Sequence, residues 1–581
     1  MQSLLQYRQA GVAAQAQLDH DARKANGHSF QHQWTDGDTT LGTDRATRSG
    51  TQSRASLEAQ SANGDVGLEL STNISQQRDA DGDVQNPELD DDDGRGEALA
   101  PALTGINVHH RDGGQVFIVG WAGPDDPRMP RNWPLLRRVG VTIQIAFLAM
   151  VLTAASAIDA AVLPQAAKAL NVSEVAESLA TGLYLAGMGI GSLVAGPFSE
   201  AFGRNVVYTG SLIIFMIWIM GAALAPNFGA QITFRFLAGC CASAALVCTG
   251  GSVADMFNSL EKTWAFPLYA VPSFMGPMLG PVIGAYIGPS TVVSWRWAEW
   301  TMLIASGLVL VLVLLFLPET YSPLLLQWKA AHYRRITGDT RFRGEHEIED
   351  ATLLSRLKVS MTRPFLMLTE PIIMAMTLYI TVVYIVLFTF LVGWPYIFEH
   401  TYGISQGLSH TIFVAMLVGT ELNVFLVIFI YHMTLKRTKK EAGSLFKPEI
   451  RLWYATLGAA VAMPVSLFWL GWTNYSSISI WSAIFAVSLF GYAVMGIFLC
   501  VYMYIIDSYE IFAASALTFV SLVRYVVAGG MTVAGIPWYE SMGTHYTLTI
   551  LACISVALVP IPYLLYYYGH VIRAKSRFAV L

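Results

Sequence analysis

Residues 196–208 read GPFSEAFGRNVVY. Glu200 and Arg204 stand between two stretches that otherwise carry almost no charge, and Gly196, Pro197 and Gly203 punctuate the same few residues. What such a turn is for depends on the solvent on either side of it. Apolar residues make up 54% of the 581-residue chain and charged residues 13%, well below the roughly 25% charged usual for soluble domains. From Val139 onward, apolar runs of roughly 20 residues recur, each long enough to cross the hydrocarbon core of a bilayer. The stretch at 196–208 is therefore a charged turn between two membrane helices.

The predicted spans are 139–160, 179–198, 206–225, 231–253, 263–288 and 298–317, then 371–396, 408–432, 452–472, 478–504, 512–536 and 544–569. Gly and Pro interrupt several of the last six, which membrane helices tolerate when neighbours satisfy the freed backbone groups. The pattern predicts an all-α membrane protein of twelve transmembrane helices in two six-helix halves, 136–317 and 371–570. A central loop at 318–370 joins the halves, and 571–581 forms a C-terminal tail. Residues 1–135 are polar, with the acidic run ELDDDDGRGE at 88–97. They carry too little apolar surface to offset ordering entropy and read as a disordered tail. No apolar segment near Met1 resembles a cleavable signal.

Basic residues resist translocation, so their distribution predicts orientation. With both termini cytosolic, the inside segments hold Arg137, Arg138, Arg204, Lys262, the basic residues of 329–363, the KRTKK of 436–440, Arg573, Lys575 and Arg577. Little beyond Lys168 and Arg296 falls outside. The sequons at Asn171 and Asn474 then lie in exterior loops and are glycosylation candidates, whereas the sequon at Asn73 lies inside. The five cysteines, Cys240, Cys241, Cys248, Cys500 and Cys553, sit in apolar runs at spacings of neither a disulfide framework nor a metal site. Six plus six spans with a basic central loop is the layout of a two-halved secondary transporter. The chain has no phosphate-binding G-x-x-x-x-G-K-[ST] stretch, which disfavours an ATP-driven pump, and no H-E-x-x-H, which leaves a membrane-embedded enzyme little support.

Several motifs fall in order along this layout. GPFSEAFGRNVVY is followed by FRFLAGCCASAALVCTGGSVADMF (234–257), GPMLGPVIGAYIG (276–288), SWRWAEW (294–300), PETYSPLLLQWKAAHYRRITGD (318–339) and YIIDSYEIFAASALTFVSLVRY (504–525). Over 137–570 this ordered set resembles the major facilitator superfamily, in its fungal drug:proton antiporter branch. The resemblance implies a proton-coupled antiporter of the plasma membrane, not an enzyme, that exports small amphipathic organic molecules or a secondary metabolite by alternating access. It implies no cofactor beyond a proton gradient. The expected partners are a small-molecule substrate, protons and the lipid bilayer, with no nucleic acid, and the monomer as the functional unit. A dedicated exporter of one secreted metabolite, and an uptake carrier or sensor of the same fold, are the alternative readings.

The motifs supply candidate residues. Glu200 and Arg204 are four apart, a spacing that permits an ion pair if the turn is helical; such a pair would latch the cytosolic side. Gly196 and Gly203, with Asp255, Asp507 and Arg524 by resemblance, complete this expected gate, plain helix-end charges being the alternative. Arg235 lies one turn into span four, where an unpartnered arginine costs at least ~2.5–3.5 kcal/mol. Resemblance gives it a part in proton exchange; snorkelling to the interface is the other reading. Gly276, Gly280 and Gly284 repeat every fourth residue as a smooth packing face. Pro277 and Pro281 each remove a helix hydrogen bond, and the family associates this run with export.

Two acids lie within spans. Asp159, in SAIDAAVLP, departs from the Ser/Tyr-rich stretch of the fungal branch and is a proton-coupling candidate, or else an exposed rim aspartate. Glu421, in LVGTELNVF, falls in mid-span, where it is a proton or substrate candidate, with Asn423 and Thr420 as available hydrogen-bond partners. Tyr184, Tyr379, Tyr384, Trp394, Tyr396 and Asn423 are candidates for the substrate cavity, or for ordinary packing. Val392 stands where many family members carry a glutamate, which argues against a strongly cationic substrate.

Overall fold

A computed structural model of the chain describes residues 1–26, 106–111, 114–348, 353–440 and 447–579. Eleven helical runs among them are long and apolar enough to cross a membrane. Spans one to six are Leu135–Leu170, Glu174–Phe202, Arg204–Ala223, Phe228–Met256, Lys262–Ile287 and Trp297–Phe316. Spans seven to ten are Pro371–Tyr402, Gln406–Lys436, Pro448–Thr473 and Ile480–Tyr509. The last run, Ala513–Lys575, has 63 residues, about three times what one crossing needs. It breaks at Gly543, whose φ of 73° and ψ of 171° are not helical. Phe512 and Phe578, at its two ends, have ring centroids 5.2 Å apart, so the run doubles back. It supplies spans eleven and twelve, as the hydropathy pattern anticipates.

Within the first half, span one packs on five, two on four, and three on six. In the second half, span seven packs on the eleventh run, and ten on eight and nine. The halves meet where span two crosses the eleventh run and where span five crosses span eight. The span-five glycines make the first of these packings close. A Cβ on Gly280 would stand 2.6 Å from the Ala154 carbonyl of span one, and one on Gly284 would stand 2.8 Å from that of Ile158. With no hydrophobic driving force between helices in lipid, such close backbone approach is how spans gain contact.

Both chain ends lie on one face of the bundle, here the terminal face. Ser576 Oγ donates to Glu370, at the start of span seven. Arg573 pairs with Glu449, at the start of span nine, at 2.6 Å. A helix, Gln2–Asn26, begins on the same face. The side-chain amide of Gln6 clasps the backbone of Glu319: Nε2 donates to its carbonyl at 3.2 Å and Oε1 accepts from its N–H at 2.9 Å. Tyr7 packs on Trp328 and His332. Strands β1 (Ile106–Arg111) and β2 (Gly114–Val119) pair antiparallel, and β3 (Phe342–Arg343) adds parallel to β2. The segment expected as an unstructured tail is thus ordered at both its ends, because tertiary contacts from the central segment supply what its own composition lacks. The acidic run at 88–97 and the sequon at Asn73 lie outside the described residues.

The turn at 196–208 explains its own composition. Span two ends at Phe202 and span three starts at Arg204, so a single residue makes the connection. That residue, Gly203, has φ 88°, and a Cβ on it would fall 2.4 Å from Leu324 and 2.7 Å from Glu319. The same carboxylate of Glu319 accepts from the N–H groups of Arg204 and Asn205, at 3.0 and 3.1 Å, filling donors that the first turn of span three leaves open. It also accepts from Thr320 and Tyr321. Burial holds this carboxyl above its ordinary pKa range, although the N–H groups of Tyr321, Asn205 and Arg204 draw it down. Gly203→Ala is therefore expected to lower stability by about 1–3 kcal/mol, read as an earlier melt of the detergent-solubilised protein. Gly210→Ala, where an added Cβ meets nothing within 4 Å, should melt like the parent.

Candidate functional site

A cavity of about 640 Å³ lies between the halves. Its mouth is on the terminal face, where the exposed residues Arg131, Glu200 and Glu510 belong to its wall. Its depth is aromatic: Phe266, Tyr269 and Phe274 from span five face Tyr384, Phe498 and Tyr525 of the second half. Serine and threonine hydroxyls, among them Ser156, Ser192 and Ser243, line the first-half wall.

On the opposite face the halves are shut. Gln165 Nε2 donates to Gln406 Oε1 at 2.9 Å, and Gln406 Nε2 donates to the Ala161 carbonyl at 2.5 Å. Leu163, Val392 and Ile536 close together as an apolar plug. A Cβ on Gly182 would stand 2.7 Å from the Gly529 carbonyl, so spans two and eleven touch there backbone to backbone.

The expected ion pair between Glu200 and Arg204 does not form. The break at Gly203 puts the two residues on different helices and removes the i,i+4 register on which that expectation rests. Glu200 is exposed. Arg204 instead reaches Asp255, at the end of span four, with Nε 3.2 Å from Oδ2, and donates to Ser199 Oγ at 2.5 Å. The second half repeats the arrangement: Arg451, in the first turn of span nine, pairs at 2.6 Å with Asp507 near the end of span ten. Arg451 also donates to Thr263 Oγ1 and to the Ser259 carbonyl, both at 2.6 Å, while Tyr454 donates to the Thr263 carbonyl. It thus straps the two halves beside the cavity mouth. Nothing in the motifs singles out Arg451. Gly196 lines the cavity, as does Pro277 of span five, whereas Gly276 approaches the Met150 carbonyl of span one.

Arg235 does not snorkel. It is 0% exposed, Asp159 is 5% exposed, and Glu299 is 1% exposed. The guanidinium is ion-paired to Asp159 of span one through Nη2 and to Glu299 of span six through Nε, the latter at 2.7 Å. Its Nη1 donates to the Ala155 carbonyl at 2.6 Å. Tyr184 lies beneath it, 5.5 Å from guanidinium carbon to ring centroid, and donates to Leu152 O. One turn back along span four, Gln231 donates to buried Glu177 at 2.7 Å. Asp159 is therefore a partner in a cluster rather than an exposed rim residue. Glu299 is the member the sequence does not reveal. It stands in the first turn of span six, where an acid is ordinarily a surface complement to the helix dipole.

Other candidates fall elsewhere. Arg524 is not at the gate: eleven residues into its helix, about 16 Å from the start, it lines the cavity among aromatic rings. Glu421 is half-buried on span eight beside the exposed Leu422 and Phe425 and is not among the cavity residues. Asn423 and Thr420 do not satisfy it; they donate to the carbonyls of Tyr492 and Leu417. Of the cavity candidates, Tyr384 lines the cavity. Tyr379 is buried away from it, Trp394 donates to Ser409 O and stacks on Phe413, and Tyr396 donates to Glu540. Asn171 is exposed, but Asn474 is 2% exposed with Nδ2 turned to Thr401, which leaves a glycan no room there.

The sequence matches the Major Facilitator Superfamily over residues 145–532. The chain belongs to that superfamily. This transporter is 48% identical to the MFS-type transporter kojT of Aspergillus flavus over 80% of its own length and 82% of that protein's. It is 33% identical to the citrinin biosynthesis cluster MFS transporter mrr1 of Monascus ruber, over 80% and 93% of the two chains. The fold is shared with the proton:xylose symporter XylE at a TM-score of 0.54 and 15% identity, covering 74% of this chain and 95% of that one. A partially occluded inward-open form of XylE from E. coli matches at a TM-score of 0.51 and 17% identity, over 74% and 99%. It is thus a multi-pass membrane transporter, not an enzyme, with relatives in secondary-metabolite clusters.

The cluster's charge count carries a prediction. With every group ionised, two carboxylates share one guanidinium and leave a surplus negative charge. Removing the cation strands both acids, and breaking a buried pair costs about 3–5 kcal/mol. Arg235→Met should therefore melt far earlier than the parent in detergent. Glu299→Gln leaves a balanced Asp159–Arg235 pair and should melt close to the parent or above it.

Proposed function

We propose that this transporter is a proton-driven antiporter of the plasma membrane that exports a small secondary metabolite, with both termini in the cytosol. The observation that carries the reading is the buried Asp159–Arg235–Glu299 cluster. It sits toward the closed face, apart from a cavity whose mouth is on the terminal face. A surplus carboxylate in apolar surroundings favours taking up a proton. Opposite faces for proton entry and solute loading are what exchange by alternating access requires.

In this reading substrate enters the cavity from the cytosol while the outer plug of Leu163, Val392 and Ile536 is shut. The Arg204–Asp255 and Arg451–Asp507 pairs brace the inner ends of the two halves and re-form contacts as the inner mouth closes. A proton from outside neutralises one carboxylate of the cluster. That loosens the hold of Arg235 on spans one and six, the two spans its partners occupy. Release of the proton inward resets the cluster. The basic residues gathered on the terminal face support this orientation.

The relatives named for biosynthesis clusters favour dedicated export of one metabolite over broad drug efflux. Val392, in the plug, argues against a strongly cationic substrate.

The test is transport by reconstituted or vesicle-embedded protein. Glu299→Gln and Asp159→Asn should lose efflux driven by a pH gradient, at least tenfold, while exchange of substrate down its own gradient persists. Full pH-driven efflux in both variants would remove the cluster from the coupling path. Orientation is checked separately: glycosidase treatment should shift the mobility of the parent and of Asn474→Gln, and leave Asn171→Gln unchanged.

A further inference from the structure

Arg524 lines the cavity and takes no part in the ion pairs described above. It is 4% exposed, and its Nε and Nη1 have no hydrogen-bond partner. Among the described residues no carboxylate pairs with it, whereas Arg204 and Arg451 each have one and Arg235 has two. Four rings surround it instead. The guanidinium carbon lies 4.4 Å from the centroid of Tyr525, 4.5 Å from Tyr384, 5.1 Å from Tyr502 and 5.7 Å from Phe498.

A guanidinium keeps its proton at any physiological pH. Ring faces attract it but leave its in-plane N–H donors unmet, and a buried charged donor without an acceptor is unfavourable. The acids of the cavity wall, Glu200, Asp255, Asp507 and Glu510, cannot supply the acceptor. Asp255 and Asp507 are paired to Arg204 and Arg451 near the helix ends, and Glu200 and Glu510 are exposed at the mouth. An anionic solute is the charged acceptor that would complete the site.

We infer that the transported solute is a small planar organic monoanion, a carboxylate or an acidic enol or phenol on a conjugated ring, bound by Arg524 within the Tyr384–Phe498–Tyr502–Tyr525 cage. The planar fork of the guanidinium matches a carboxylate or a pair of vicinal oxygens. The surrounding rings, with Phe274 across the cavity at 4.6 Å from Phe498, give a flat conjugated body surfaces to lie on. A cavity of about 640 Å³ holds a molecule of one or a few rings. The assignment rests on the preceding reading, in which this cavity loads the exported solute from the cytosol. An anion leaving while a proton enters moves positive charge inward in both legs, so an inside-negative membrane potential adds to the pH gradient.

The experiment measures binding to the purified full-length protein at equilibrium, with no pH gradient, using 2-hydroxybenzoate and its neutral isostere 2-hydroxybenzamide. The acid should bind the parent protein roughly 10- to 100-fold more tightly than the amide, the worth of a charge-assisted hydrogen-bonded contact. Arg524→Gln should abolish that preference, and Arg524→Lys should keep part of it. Equal binding of the two probes to the parent protein, or binding of neither, overturns the inference, as does an undiminished preference in Arg524→Gln. The two-probe comparison on the parent protein stands even if the glutamine variant does not fold. Because no gradient is present, failure here leaves proton coupling through Asp159 and Glu299 untouched, and failure of pH-driven efflux there leaves the anion site untouched.

Discussion

A guanidinium held between two carboxylates, away from water, is the constraint around which the first half is arranged. Arg235 can occupy the interior of a membrane bundle only with its partners in place. Those partners come from spans one and six, and a backbone carbonyl of span one completes the set. Three of the first six helices are thereby fixed relative to one another by a single side chain. The near approach of span five to span one, through Gly280 and Gly284, holds the other side of span one. The cavity wall formed by spans one and five inherits its position from these contacts.

The two halves use the same device at their terminal-face ends. A basic residue in the first turn of the third or ninth span reaches an aspartate at the end of the fourth or tenth, in Arg204–Asp255 and Arg451–Asp507. The halves are not equivalent, however. Arg451 continues across to Ser259 and Thr263 of the first half, whereas Arg204 stays within its own half and is backed by Glu319 through the backbone of span three. Gln6 of the N-terminal helix holds that same Glu319 by its peptide groups. The chain's first turns are thus tied to the turn between spans two and three.

Legibility in the sequence followed the range of the interaction concerned. A tight turn at Gly203 was readable, because glycine tolerates conformations that exclude a Cβ, but the predicted spans left 199–205 between helices that the structure joins through Gly203 alone. The partner of Arg204 was not readable. A spacing of four in sequence suggested Glu200, but the glycine that makes the turn also breaks the helix that would align the pair. Glu299 and Arg451 carried no signal, since each reads locally as an ordinary helix-end charge. Of the aromatic cavity candidates Tyr384 alone lines the cavity. Tyr184, Trp394 and Tyr396 each hydrogen-bond to the backbone or to a neighbouring side chain instead.

Hydropathy belongs to a segment, and each segment of this chain declares its solvent independently of the others. The sequence by itself therefore determined that the protein spans a membrane, roughly where it crosses, and that two six-helix halves are joined by a polar segment. The ordered motifs added the superfamily. A helix that is apolar all round does not say which of its faces meets lipid, a neighbour or a cavity. That choice is made by contacts between residues far apart in the chain, such as Asp159 with Arg235 or Tyr384 with Arg524. The tertiary structure alone decided which charges are paired, and which one is left facing the cavity among aromatic rings.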